Sequence, residues 1–461
     1  MRIHLIATGG ALMHNLALAL KTKGYNVSGS DDEIYEPSRS RLQKAGLLPT
    51  KMGWDANRID SSIDAVIVGM HARPNNPELL KAQELGLTIY SYPEYLYQQS
   101  QDKLRVVVGG SHGKTTTTSM IMHILVQNGV DFDYAVGAQL DGFETMVRLS
   151  DAPIIVIEGD EYLSSPIDRR PKFLHYHPQI AILTGVAWDH MNVFPTFDIY
   201  HKEFGKFIET IDQDGVLIYY KPDEYLQKYS HMAKCQITAY QTPPHQIIDG
   251  QTYLPKPLYA DEWNFVDEEK GILLQIFGEH NLQNMQAARL VCRELGLSDE
   301  QIFRAMMTFA GAAKRLELLY KTDQNIWFKD FAHAPSKVRA TFQAVKKQYA
   351  ESKLVAVLEL HTFSSLNIDF MGQYKGAMQG ADSAYVYYSP HTLAMKKLPA
   401  LEPQMVQDAF GQTDLKVYTD IDKLKAAILA EAKQTNTNFL MMSSGNWGGV
   451  DWKKELATIY I

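Results

Sequence analysis

The stretch Val106–Met120, VVVGGSHGKTTTTSM, decides how this chain is read. An apolar, β-rich run passes through glycines into Lys114 and Thr115, and a helical pattern continues to about Asn128. Gly109, Gly110 and Gly113 let backbone N–H groups turn inward around phosphate oxygens, and the start of the helix adds a partial positive charge. Lys114 would reach the β- and γ-phosphates, and the Thr115 hydroxyl would hold Mg²⁺. The full phosphate-loop spacing requires a glycine where Val108 stands, so this is a shortened form, G-S-H-G-K-T. The candidate ATP-binding residues are Gly110, Ser111, His112, Gly113, Lys114, Thr115 and Thr116.

Outward from this loop, short apolar runs alternate with helical patterns along nearly the whole chain, the signature of parallel α/β architecture. Before it, RIHLIATGG, a helix near residues 11–23, YNVSGSD, DAVIVG (64–69) and LTIYSY (87–92) make a small Rossmann-like unit closing near residue 100. After it, PIIVIEGDE (153–161) and QIAILTGVAWDH (179–190) read as strands, residues 235–270 as hairpins or a long connection, and 280–295 and 298–308 as a helix pair. A last block from near Ala313 holds NIWFKDFA (325–332), a helix from Pro335 to Tyr349, and further strands at 353–360, 383–390, 415–420 and 438–444. Three α/β units result: 1–100, 101–312 and 313–461.

In parallel sheets ligands collect at the C-terminal ends of strands. Glu158, Asp160 and Glu161 close one such run, Asp189 and His190 a second, and Asp330 and His333 a third. Singly each acid reads as a helix cap or a solvated group. Placed beyond one phosphate loop, they suit a Mg²⁺–phosphate site built from hard oxygen donors. Asn281 and Asn284 share a helical face beside His280, where they either read an adenine edge or cap the helix. Arg315 contacts phosphate or forms an ion pair between blocks. The Gly9–Gly10 turn, with Asp31 closing the next strand, is either a nucleotide-diphosphate seat with Asp31 near a ribose or a plain turn, since G-x-G-x-x-G is absent.

Composition narrows the partners. In 461 residues, 45 basic against 53 acidic side chains leave a formal charge of −8, which argues against nucleic-acid binding. Two cysteines, Cys235 and Cys292, exclude a disulfide scaffold and a four-cysteine zinc site. His4, His14 and Asn15 interrupt the apolar N-terminus, so it reads as strand, turn and helix rather than a signal peptide. No run of about 18 apolar residues occurs, so a cytoplasmic chain without a membrane span is expected.

The order GGSHGKTTTT, EGDEY, WDHMNVF, GEHNLQN, KRLELL and DFAHAP resembles the Mur ligases of bacterial cell-wall synthesis, over nearly the whole chain. The resemblance implies a Rossmann-like UDP-sugar domain, a central P-loop ATPase domain and a Rossmann-like ligase domain. By it, Lys114 and Thr115 match the ATP loop, and Glu158 and His190 match Mg²⁺ ligands. His280, Asn281 and Asn284 match an adenine-side motif, and Arg315 and Asp330 match nucleotide contacts. His333 matches the first histidine of a pair near the reaction centre and is a candidate general base. Catalytic roles then fall to Lys114, His333 and Arg315, and UDP-sugar contacts to Gly9, Gly10 and Asp31. The implied reaction joins UDP-N-acetylmuramate to an amine through an acyl phosphate, with closure of the last domain over ATP.

EGDEYLSSPIDRRPKFLHYHP and MSSGNWGGVDWKKEL most resemble the recycling branch of the family, and that resemblance implies the tripeptide L-Ala-γ-D-Glu-meso-Dap as the amine; L-alanine, the amine of the de novo branch, is the alternative. Departures from the family pattern are Ala334 for the second histidine, Leu163 for an acid, and Ser111 for a threonine. Phe204 stands where several relatives place a carbamylated lysine, and Lys202 and Lys206 nearby read as surface lysines. His361 favours the L-alanine branch. Two other classes fit a phosphate loop: a kinase or ATPase passing phosphate to a hydroxyl or water, and a silent nucleotide-binding protein.

Overall fold

The computed structural model describes residues 1–140, 142–191, 193–257, 263–312 and 315–459. They fold into two compact units. The first comprises residues 1–188, 193–241 and 284–305; the second comprises 189–192, 242–283 and 306–461. The boundary expected near residue 100 lies inside the first unit, and the one near Ala313 falls outside the described residues.

The first unit holds two sheets. A four-stranded parallel sheet runs in the order Asn26–Ser30, Arg2–Ile6, Ala65–Val68, Ile89–Ser91. Its central strands are buried, as parallel strands generally are: Ile3, Leu5, Val66 and Ile67 have no exposed surface, and the one buried polar side chain among them, His4, meets Glu78. The helix Tyr92–Gln98 starts in a capping box, with Ser91 and Glu94 satisfying each other's backbone N–H groups. A seven-stranded sheet follows, in the order Gln236–Tyr240, Val216–Tyr220, Ile180–Leu183, Leu104–Gly109, Ile154–Glu158, Asp133–Ala135, Val147–Arg148. All its pairs are parallel except the last. The register sets Val108 beside Glu158 and Gly109 beside Leu183, so three strands end at one edge around the glycine loop.

Two readings of the sequence change here. The run QIAILTGVAWDH is a strand only over Ile180–Leu183: Gly185 takes a φ of +142° and the chain leaves the sheet, so Asp189 and His190 lie beyond the strand rather than at its tip. Gln236–Tyr240, inside the segment expected to be hairpins or connection, instead pairs in parallel with Val216–Tyr220 as the sheet's edge. The helix Phe197–Glu209 between these strands buries Tyr200, Phe204, Phe207 and Ile208 along one face, the i, i+4, i+7, i+8 spacing of an amphipathic helix.

The second unit contains an antiparallel three-stranded sheet, Gln246–Ile248, Gln251–Leu254 and Ile272–Leu274, as the hairpin reading expected. Its larger sheet runs Glu317–Lys321, Asn325–Asp330, Thr437–Met442, Lys353–Leu360, Ser383–Tyr388, Lys416–Tyr418, parallel except for the first pair. Trp327 stacks on Phe439 at 3.7 Å between neighbouring strands of this core. Among the described residues no helix is long and apolar enough to cross a membrane. Cys292 is buried and Cys235 partly so, both as free thiols.

Candidate active site

The loop after Leu104–Gly109 is built as its glycines require. Gly110 has φ +131° and Gly113 +75°, and a Cβ at these positions would lie 2.1 Å from Thr184 Oγ1 and 2.3 Å from Asn284 Oδ1. Gly113 then caps the helix Lys114–Gln127 without any side-chain bond, which leaves the first N–H groups of that helix for an anion. Thr184 fastens the loop from the neighbouring strand end, its hydroxyl donating to the carbonyls of Gly109 and His112. Thr116 is buried in the first helical turn.

Two acids divide the work beside this loop. Lys114 Nζ donates to Gly110 O and to Glu161 Oε2, each at 2.6 Å. Burial works against its charge, but Glu161, with Asp160 and Glu158, outweighs burial and holds the ammonium above the ordinary lysine range. Thr115 Oγ1 donates to Glu158 Oε1 at 2.9 Å, and Glu158 Oε2 accepts from Gly137 N–H at 3.2 Å. Burial pushes the Glu158 carboxyl up, against the pull of Lys114 and Thr115. A half-buried carboxylate and a hydroxyl side by side, next to uncapped helix N–H groups, are the donor set a Mg²⁺–phosphate group takes, so Thr115 and Glu158 fit that cation.

Tyr200 was not anticipated. Its hydroxyl donates to Glu161 Oε1 at 3.0 Å and stands 2.6 Å from Ser111 Oγ. The helical spacing places Tyr200 on a buried face, but nothing in the sequence announces hydroxyl partners 39 and 89 positions away. Phe204, fully buried, packs at 5.6 Å from Phe173 and 5.4 Å from Tyr200, as an apolar core group. Lys202 and Lys206 are the surface lysines expected, paired with Asp198 and Glu203. Leu163 is buried and bridges to Pro171. Also in this unit, Glu94, Asp168 and His175 form the one described group with metal-like spacing, and the Arg170 guanidinium already pairs with both acids.

At the Gly9–Gly10 turn, Gly9 N–H donates to Asp31 Oδ2 at 2.7 Å, and Asp31 is pushed up to about 6, chiefly by burial. On the helix Glu279–Glu294, the Asn281 amide donates to Phe277 O at 2.9 Å, a bond to the chain just before the helix. Asn284, one turn on, faces the Gly113 loop. His280 is driven down to about 4, first by burial and then by Arg315.

In the second unit, Asp330 is buried at the end of its strand and accepts from Leu316 N–H and Ala332 N–H, each at 2.7 Å. Burial pushes it up and Arg315 opposes. The Arg315 guanidinium lies over the Phe331 ring at 4.8 Å. His333 Nδ1 is 2.8 Å from Phe331 O, and burial, then Lys337, lowers it to about 4, so its imidazole is neutral at pH 7. Asp189 accepts from His190 N–H and stands 3.4 Å from Lys337 Nζ. Burial opposes its charge, but Lys337, His190 and His333 hold it below the usual carboxylate range. His190 has φ +55°. Ala334 precedes the helix Pro335–Gln348 and offers it no cap. His361 is half-exposed, 3.9 Å from the buried Glu359.

A glycine loop carrying a lysine and a threonine, each with its own carboxylate at one edge of a parallel sheet, defines a phosphate-handling α/β enzyme. Residues 2–103 match the domain described as Mur ligase family, catalytic domain; residues 108–292 match the Mur ligase middle domain, and residues 314–445 the Mur ligase, glutamate ligase domain. A UDP-N-acetylmuramate–L-alanine ligase of Caldicellulosiruptor saccharolyticus is 32% identical, over 90% of this chain and 86% of that one. A UDP-N-acetylmuramate–L-alanyl-γ-D-glutamyl-meso-2,6-diaminoheptandioate ligase of Haemophilus influenzae is 28% identical over 98% of both chains. The solved UDP-N-acetylmuramate–alanine ligase of Thermotoga maritima, 22% identical, shares the fold with a TM-score of 0.71 over 100% of this chain and 99% of that one. The chain belongs to the Mur ligase family. It is an ATP-dependent ligase, of the class that joins an acid to an amine.

Proposed function

We propose that this enzyme joins the lactyl carboxyl of UDP-N-acetylmuramate to the amine of L-Ala-γ-D-Glu-meso-Dap, driven by ATP, in the cytoplasm and in the service of peptidoglycan recycling. The observation that carries the reading is the Lys114–Glu161 and Thr115–Glu158 pairing around the glycine loop. It occurs in a chain that aligns end to end with a ligase named for that tripeptide. Three domains, 1–100, 101–312 and 313–461, would carry the UDP-sugar, ATP and the amine.

The substrate carboxylate attacks the γ-phosphorus, the bond to the β–γ bridging oxygen breaks, and ADP leaves. The amine nitrogen then attacks the acyl carbon, an amide forms, and phosphate is released. Lys114 and the loop N–H groups offset the charge on the transferring phosphoryl group. Thr115, Glu158 and His190 would hold Mg²⁺, which supplies further charge neutralisation. Gly110, Ser111, His112, Gly113 and Thr116 shape the phosphate seat, and His280, Asn281 and Asn284 serve the adenine side. Arg315 and Asp330 serve the nucleotide, and Gly9, Gly10 and Asp31 the UDP-sugar. His333, neutral at pH 7, takes the proton the amine gives up.

L-alanine is the second reading, favoured by His361 and by the 32% identical alanine ligase. Phosphate release with ATP and UDP-N-acetylmuramate, offering L-alanine or the tripeptide, separates the two. Release with the tripeptide only is expected. Release with L-alanine alone selects the second reading, and release without UDP-N-acetylmuramate returns the enzyme to the kinase or ATPase class.

A further inference from the structure

The loop lysine is seated by a chain of hydrogen bonds that closes back on the loop itself. Lys114 Nζ donates to Glu161 Oε2, Tyr200 OH donates to Glu161 Oε1, and the Ser111 hydroxyl, 2.6 Å from Tyr200 OH, completes the circuit three residues before Lys114. Ser111 Oγ in turn accepts from Ala187 N–H at 2.9 Å. Ser111, Glu161 and Tyr200 are each at most 2% exposed. Buried polar groups satisfied by one another in this way are strongly constrained in position.

The tyrosine cannot easily supply that hydroxyl from anywhere else. Its ring is held edge-on between Phe194 at 5.2 Å and Phe204 at 5.4 Å. The helix carrying it begins at a Thr196 cap, where the side chain accepts from Ile199 N–H. Glu161 therefore has one oxygen fixed by a rigid phenol and the other on the ammonium. Meanwhile Glu158, the other acid beside the loop, spends its oxygens on Thr115 and Gly137. A lysine between two carboxylates would otherwise move to whichever is less well anchored.

The geometry points to Glu161 and Tyr200 as positioning residues that hold the Lys114 ammonium clear of Glu158 and aimed at the γ-phosphate. The inference rests on the reading of this loop as the ATP site and gives Glu161 and Tyr200 roles that the motif order leaves unassigned. Glu161 acts directly on Lys114, and Tyr200 acts on the ammonium through Glu161 while its second contact, with Ser111, ties the phenol to the loop. With the seat intact, two of the three ammonium protons are committed, to Gly110 O and Glu161, which leaves the third to be given to a phosphate oxygen. Without the phenol hydroxyl, Glu161 gains rotational freedom and the ammonium follows it.

The test uses Tyr200→Phe, which keeps the ring and removes one oxygen, with Glu161→Gln and the double variant. Calorimetric affinities for ADP and for a non-hydrolysable ATP analogue carrying an imido β–γ bridge give a readout that needs no turnover. Tyr200→Phe is expected to weaken the analogue about fivefold while leaving ADP within about twofold, because only the γ-phosphate needs the seated ammonium. Glu161→Gln is expected to weaken the analogue about tenfold or more, with the double variant no worse than Glu161→Gln alone. Equal losses for ADP and the analogue, no loss in Tyr200→Phe, or losses that multiply in the double variant would overturn the positioning role. Wild-type phosphate release with UDP-N-acetylmuramate and tripeptide is measured in parallel. Its failure sinks the proposed reaction, whereas the analogue-to-ADP ratio judges the lysine seat on its own.

Discussion

Two strand–glycine–helix turns in the first unit look alike in outline and differ in where their acids sit. Arg2–Ile6 leads through Gly9 and Gly10 into the helix Ala11–Thr22, and Leu104–Gly109 leads through Gly110 and Gly113 into Lys114–Gln127. Neither helix has a side-chain cap. At the first turn a carboxylate, Asp31, accepts directly from the Gly9 N–H. At the second the acids stand one layer out, holding the Lys114 ammonium and the Thr115 hydroxyl instead of the backbone. A helix N-terminus attracts anions in either case. The difference is whether the protein supplies the anion itself or leaves the place for a phosphate, and glycine count does not reveal which.

The largest test of that contrast is Lys114→Ala. It removes the loop ammonium that Glu161 holds, so product formation should fall by about 10³-fold or more. Fluorescence-monitored melting should show a folded protein, which ties the loss to chemistry. Turnover within tenfold of wild type would mean that the second turn is not where the γ-phosphate is handled. Next comes Gly113→Ala. Its φ of +75° and the 2.3 Å approach of Asn284 Oδ1 oppose a Cβ, and the strain and displaced amide together should lower kcat/KM for ATP by about 10²-fold.

Much of this contrast was legible before the structure. The G-S-H-G-K-T spacing announced a phosphate loop, and the apolar runs placed it after a strand and before a helix, where it stands. Asn281 and Asn284 share one helix as their spacing implied, but their amides do different things, and i, i+3 periodicity has no means of separating a bond to a preceding carbonyl from a loop contact. Glu161 was visible as an acid at a strand end without a stated partner, because Tyr200 reaches it across 39 positions of chain. The strand ending early at Leu183 was missed for a related reason. TGVAW is apolar enough to continue a strand, and only the φ of Gly185 takes it out of the sheet. Local pattern reports propensity, whereas the partners of buried hydroxyls and carboxylates are tertiary facts.

At the first turn smaller effects are expected. A Cβ on Gly9 would meet Asp31 Oδ2 and Ile34 Cγ1, both at 2.9 Å, so Gly9→Ala must shift one of them, an overpacking cost of about 1–3 kcal/mol. The apparent KM for UDP-N-acetylmuramate should rise about tenfold while ADP affinity, read by calorimetry, stays at the wild-type value. A change in ADP affinity equal to the change in KM would erase the distinction between the two turns.

The smallest effect is a pH dependence that belongs to Asp31 alone. Its folded-state value of about 6 lies above the ordinary 3.8, with burial as the main cause and the neighbouring Asp32 adding to it. A raised value means the folded protein binds the proton more tightly than the unfolded chain does. The stabilising contribution is therefore fully present below pH 3.8 and is lost as pH rises through about 6. Over the accessible pH range the contribution is on the order of 1 kcal/mol. Asp31→Asn removes the titration and retains an oxygen for the Gly9 N–H. Urea denaturation at pH 4.5, 5.5, 6.5 and 7.5 should show the wild type losing about 1 kcal/mol relative to Asp31→Asn across that interval. A constant difference between the two proteins at all four pH values would show that Asp31 is already charged in the fold, and that the first turn carries a full negative charge against any incoming diphosphate.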